Sequence, residues 1–189
     1  MSSIPTFMKL ASCVAGIALL VLALSGQGVP VAEPHQVGKF YYLDPDTEGL
    51  IELEATAAKL ITKQKGFGIG GSQTVYTMPG ARSPVRLPEG KPGTFVYTVE
   101  PGTDPFRGIQ FFRLDSKKDS RELLNTETVN GRTSAVMNRS MVPFRVARHG
   151  KMSFKVVMQE PLVPGEYGLS WTTSNVGYCF GVNHPDERK

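Results

Sequence analysis

Few residues in this chain could do chemistry. Cys179 is one of two cysteines, and the single tryptophan, Trp171, stands close before it within Pro161 to Asn183 (PLVPGEYGLSWTTSNVGYCFGVN). A nucleophilic cysteine needs a base to take its proton, usually a histidine held by a third group. The histidines are His35, His149 and His184, and only His184 is near Cys179 in sequence. Alternation along Gly177 to Val182 puts Tyr178, Phe180 and Val182 on one face and Cys179, beside Gly177 and Gly181, on the other. Cys179 therefore reads as a packed small residue, with a bond to a second chain or a thiol enzyme as the alternatives. Trp171 shares a face with Tyr167 and Leu169. That face is expected to be core, and a stacking platform for sugar rings is its functional alternative.

Other chemistries lack their parts. Zinc sites gather His and Cys at short spacing, which these histidines do not show. Asp44-Pro45-Asp46-Thr47-Glu48 offers calcium-like carboxylates without the full loop, its central Gly or its closing Glu, so it reads as a turn. Lys65 to Ser72 (KGFGIGGS) is rich enough in glycine to cradle a phosphate, but that use requires a helix N-terminus after it. A strand-like stretch, Gln73 to Met78, follows instead, so a bend, bulge or hairpin is expected. No Gly-x-Ser-x-Gly element occurs. Asn138-Arg139-Ser140 is a glycosylation sequon only in a suitable secretory pathway. No catalytic, cofactor or metal residues are assigned, and the chain is expected not to be an enzyme.

The N-terminus indicates a destination. Lys9 precedes an apolar run, Leu10 to Leu24, and Ala23-Leu24-Ser25 supplies the small residues of a cleavage site. This is the order of a secretory signal peptide cut after Ser25. An uncleaved anchor over residues 10–24 is the alternative, although a spanning helix wants about 20 apolar residues. Leu10-Ala11-Ser12-Cys13 spells a lipoprotein-type box, but its apolar run follows the cysteine when it should precede it. Removing 1–25 takes away Lys9 and no acid, which lowers the net charge from +4 to +3. Lys117-Lys118 is flanked by Asp115 and Asp119, and no basic stripe suggests nucleic acid.

The remaining chain suits one domain with its own core. Residues 26–38 read as a flexible leader, 39–183 as the domain and 184–189 as a polar tail. Strands are expected at Lys39–Asp44, Gln73–Met78, Val85–Leu87, Thr94–Glu100, Gly108–Leu114, Arg121–Glu127, Thr133–Met137, Val142–Val146, Met152–Met158, Tyr167–Thr172 and Gly177–Val182. Asn130-Gly131 signals a hairpin. Leu50 to Gln64 alternates like a strand at Ile51–Ala55, and also fits a helical stripe through Leu50, Leu53, Ala57, Leu60 and Ile61. It is read as strand. Pro79–Pro84, with Arg82, and Lys65–Ser72 are the loops that would carry a binding surface.

Leu162-Val163-Pro164-Gly165-Glu166-Tyr167 resembles the tyrosine corner of immunoglobulin-like Greek-key sandwiches. That device implies a leucine plugging the core, a Pro-Gly turn between sheets, and a tyrosine hydroxyl bonded to upstream backbone. Pro164–Tyr167 with Cys179–Val182 also loosely resembles exported bacterial proteins of unknown function that end in such a hairpin, which implies an envelope or secreted location. The fold expected is an all-β antiparallel Greek-key sandwich, immunoglobulin-like or jelly-roll-like. The function expected is that of an exported, non-catalytic binding or structural component of the cell envelope or secreted space, with an envelope or extracellular protein as partner, and with a carbohydrate-binding module or a thiol enzyme using Cys179 as the alternatives.

Overall fold

A computed structural model describes residues 31–66, 70–91 and 93–184. The signal segment 1–25 lies outside these residues, as do 26–30 of the leader and 185–189 of the tail. Ala32–Lys189 form one compact unit. Its strands are β1 (Phe40–Leu43), β2 (Leu50–Glu52), β3 (Glu54–Ala57), β4 (Lys59–Gln64), β5 (Ser72–Pro79), β6 (Arg86–Leu87) and β7 (Thr94–Thr98). They continue with β8 (Ile109–Ser116), β9 (Ser120–Val129), β10 (Arg132–Ala135), β11 (Phe144–Arg148), β12 (Ser153–Met158), β13 (Gly165–Trp171) and β14 (Val176–Val182). The described residues hold no α-helix. A short 3-10 turn, Met137–Ser140, includes the exposed sequon residue Asn138.

One sheet runs β11-β12-β7-β1-β2, and the other runs β3-β14-β13-β8-β9-β5-β4 with β10 on β9 and β6 on β14. Neighbours such as β12 and β7, or β13 and β8, are distant in sequence, so connections cross between the sheets as in a Greek key. Every strand pair is antiparallel except β6 with β14, which is parallel over two residue pairs.

The sheets meet because alternate residues are large and apolar. Phe95 and Tyr97 of β7 face Phe111, Tyr167, Leu169 and Phe180 in one core cluster. Phe95 lies 4.7 Å from Phe180 and 5.8 Å from Phe111 between ring centroids. Phe40 packs on Tyr97 and Trp171. Each such pair contributes roughly 0.5–1.5 kcal/mol beyond area burial.

The sandwich carries a third layer. β8 and β9 pair only at Asp115–Glu122 and Ser116–Arg121, so the long sheet bends there. Its second part, built on β4, β5, β9 and β10, folds over the outer face of β8, β13 and β14. Met78, Phe112, Leu114, Leu123 and Cys179 form a separate core between them.

Leu50–Gln64 is extended throughout and threads all three layers. β2 pairs with β1, β3 with β14, and β4 with β5. Leu53, 2 % exposed, is buried at the first crossing. Of the helix-like stripe only Leu53 is buried, while Leu60 and Ile61 of β4 are exposed.

Ala32–Gly38, expected as part of a flexible leader, makes hydrogen bonds to the domain. Glu33 accepts from the Lys151 and Met152 amides at 2.7 and 2.9 Å. The Gly38 carbonyl accepts from Trp171 Nε1 at 2.7 Å, and the Gln36 carbonyl accepts from Thr98 Oγ1.

Candidate functional site

At Leu162–Tyr167 the chain leaves β12 in the five-stranded sheet and enters β13 in the other. Leu162 is buried in the main core. Gly165 begins the strand, and the Tyr167 hydroxyl donates to the Val163 carbonyl at 2.8 Å. Burial raises the Tyr167 hydroxyl above its ordinary pKa despite the nearby Arg113 charge, so it stays a donor.

This corner lines a groove of about 960 Å³, which Arg82 of the Pro79–Pro84 link and Arg86 of β6 also line. The link is tied down by charge: the Ser83 amide donates to Glu166 Oε2 at 2.8 Å, and Arg86 pairs with the other oxygen of that carboxylate. Arg86 also donates to Asn183 Oδ1 at 2.7 Å. A Cβ at Gly181 would collide with the Arg86 guanidinium, so glycine is required there for the clamp.

Arg82, Arg86, Arg113 and Arg139 line the groove, with Asp115, Glu160 and Glu166 as its acids. Glu166 is committed to Arg86 and Ser83. Arg139 reaches Glu127 at 3.1 Å. Arg113 is exposed, lies over Gly165, and donates to the Pro164 carbonyl at 3.2 Å. Among the described residues it makes no ion pair. The groove thus offers the Arg113 guanidinium, which has no carboxylate partner among the described residues, beside irregular backbone at Glu160–Pro164.

Beneath the link lies a buried ion pair. Arg121 is fully enclosed and forks onto Glu54 at 2.6 and 3.0 Å, while also donating to the Gly80 and Pro79 carbonyls. Burial is the largest influence and works to raise the Glu54 carboxyl, but hydrogen bonds from Arg121, Ser83 and Thr56 together with the Arg121 charge outweigh it and hold Glu54 below the usual carboxylate range. Removing one partner of such a pair costs about 3–5 kcal/mol, because it strands the other charge.

Cys179 is fully buried with Sγ 3.6 Å from Met78 Sδ. Burial pushes its thiol up to about 12; Arg121 opposes this, and Glu54 and Glu166 add to it. A protonated, enclosed thiol is a poor nucleophile. His149 is far off in the fold, with Nε2 3.0 Å from the Ala32 carbonyl. Trp171 is packed on Phe40 and Tyr97 at 5.0 and 5.5 Å, with its indole N–H engaged by Gly38.

The remaining motifs resolve into turns. Asp44 caps its own loop by accepting from the Asp46 amide and the Thr47 hydroxyl at 3.0 and 2.8 Å, and Asp46 pairs with Lys91. The described residues contain no group of three or more His, Cys, Asp or Glu placed to hold a metal. They contain no helix long and apolar enough to cross a membrane. Lys65–Ser72, of which 67–69 lie outside the described residues, connects β4 to β5.

Arg113 and Arg121 were invisible as special residues in the sequence. Each sits in a strand like any alternating polar residue, and only the crossing of distant segments gives it a role. The chain matches no family model, no curated protein and no solved structure.

Proposed function

We propose that this is an exported, non-catalytic binding protein that engages an envelope or extracellular protein through the arginine-lined groove. The observation that supports this reading is Arg113. It is an exposed guanidinium with no carboxylate of its own, placed between the Pro79–Pro84 link and the backbone of Glu160–Pro164. An extended partner segment bearing a carboxylate fits that arrangement, since a guanidinium binds a carboxylate bidentately and loops on a rigid scaffold present binding groups. Export rests on the Lys9–Ser25 pattern.

The carbohydrate-binding alternative is less well supported, because Trp171 is half-buried, packs on Phe40 and Tyr97, and has its indole N–H engaged by Gly38. The thiol-enzyme alternative must work through an enclosed thiol with a raised pKa.

The test is in-cell photo-crosslinking from position 160, beside Arg113 in the groove, with position 151 on another face as control, after fractionating the cells. A discrete adduct from 160 in the envelope or medium fraction is expected, on a chain that begins at Gly26. Arg113→Glu, with the crosslinker kept at position 160, should abolish the adduct. Equal adducts from both positions, or none, would overturn the reading.

A further inference from the structure

The groove is not the only opening. The third layer leans on the outer face of β8, β13 and β14 without closing fully on it. Between them lies a cleft of about 410 Å³. That is within the size range of roughly 300–1,000 Å³ usual for small-molecule pockets.

Its walls are apolar and come from both layers: Phe112 and Leu114 from β8, Tyr76 and Met78 from β5, Leu123 from β9, and Met137 from the 3-10 turn. One end is polar, where Gln110, Ser170 and Asn175 join the β13–β14 turn. The lining contains no Asp, Glu, Lys or Arg, although one residue in five of the chain is charged (20%). A charged ligand would find no countercharge there and would lose its hydration. An uncharged ligand with an apolar body meets neither cost.

The floor shows why the space is open. Gly168 and Gly177 occupy neighbouring strand positions on the face toward the third layer, with Ser170 paired across from Gly177. Neither glycine has a positive φ. A Cβ at Gly168 would sit 3.5 Å from Leu114 Cδ1 and 3.7 Å from Cys179 Sγ, which are ordinary contacts. At Gly177 the nearest atom would be the flexible Met78 Sδ at 3.2 Å.

So neither backbone conformation nor close packing demands glycine at 168. Glycine inside a strand is nevertheless destabilising by about 0.5–1 kcal/mol relative to alanine. Interior strand glycines often mark a bulge, a tight bend, or the close approach of a ligand or another backbone, and the β13–β14 register is unbroken at both positions. The third layer's backbone does not fill this space.

We propose that the cleft between the two halves of the long sheet binds a small uncharged amphipathic molecule. Its apolar body lies over Gly168 and Gly177 against Phe112, Tyr76 and Met137, and its neutral hydrogen-bonding end meets Gln110, Ser170 and Asn175. The site is independent of the groove and of the export reading.

The test uses the purified full-length protein and the neutral fluorophore N-phenyl-1-naphthylamine. Saturable binding at one site per chain is expected, with displacement by decan-1-ol at a concentration lower than that of decanoate by about tenfold or more. Gly168→Val places a branched side chain on the floor, and should weaken binding by about tenfold or more while the protein still melts cooperatively. Ser170→Phe, at the partly exposed polar end, should do the same and decides the matter if Gly168→Val fails to fold.

Absence of saturable binding by the native protein would overturn the site. So would unchanged binding in both folded variants. Displacement by decanoate as readily as by decan-1-ol would overturn the uncharged class of ligand.

Discussion

Tyr167 uses its hydroxyl on a backbone carbonyl four residues upstream, and that bond fixes where the chain changes sheets. Its ring is enclosed against Phe111 and Phe180. Tyr167→Phe keeps the packing and removes only the bond, so a loss of about 1 kcal/mol is expected. Urea unfolding should show a lower midpoint with an unchanged slope; an unchanged midpoint would mean the hydroxyl contributes nothing. The role of Tyr167 was legible because Leu-x-Pro-Gly-x-Tyr is local: every atom involved lies within six residues. Arg121 was illegible for the opposite reason. Its partners, Glu54, Pro79 and Gly80, come from segments 40 or more residues away, and nothing in RELLNTE distinguishes a buried guanidinium from a solvated one. Cys179 falls between these cases: alternation put it on the face away from the main core, but not under a second core.

At the scale of elements, the glycine-rich stretch Lys65–Ser72 is a hairpin connection, as the missing helix after it implied. The Gly70 amide donates to the Lys65 carbonyl at 3.0 Å, and the Lys65 amide donates to the Gly71 carbonyl at 2.9 Å. Gly71 has φ +88°, and a Cβ there would overlap the Thr128 carbonyl oxygen of β9. Gly71→Ala therefore meets both a backbone penalty and a backbone clash, with no flexible side chain to yield. A loss of about 2 kcal/mol or more is expected, visible as a lower thermal midpoint. Gly66→Ala is the control: φ is +55° but the space is open, so its loss should be smaller. Equal losses would refute the clash. Hairpins and alternating strands were readable here because their signals are short-range. The course of Leu50–Gln64 was not, because its apolar residues do not share one buried face: Leu53 enters the main core while Ile51, Leu60 and Ile61 stay exposed.

At the scale of the molecule, the question is whether the third layer is an appendage or part of one cooperative unit. The register joining β8 to β9 spans only two residue pairs, which taken alone would let the layer peel away. Two features oppose that. Leu50–Gln64 is a single extended run stitched into all three layers, with Leu53 anchored in the main core. Arg121 of β9 is locked to Glu54 of β3, so separating the layers would break a buried ion pair. Both tie the layer to the sandwich, so both cores should be lost together. The two cores carry their own reporters. Trp171 fluorescence follows the main core, and in a Cys13→Ser background thiol labelling follows Cys179 in the second. Coincident urea midpoints are expected, as for a two-state unit. Labelling of Cys179 at lower urea than the Trp171 transition would instead reveal a separately opening layer, and with it a hinge through which the cleft over Gly168 could widen.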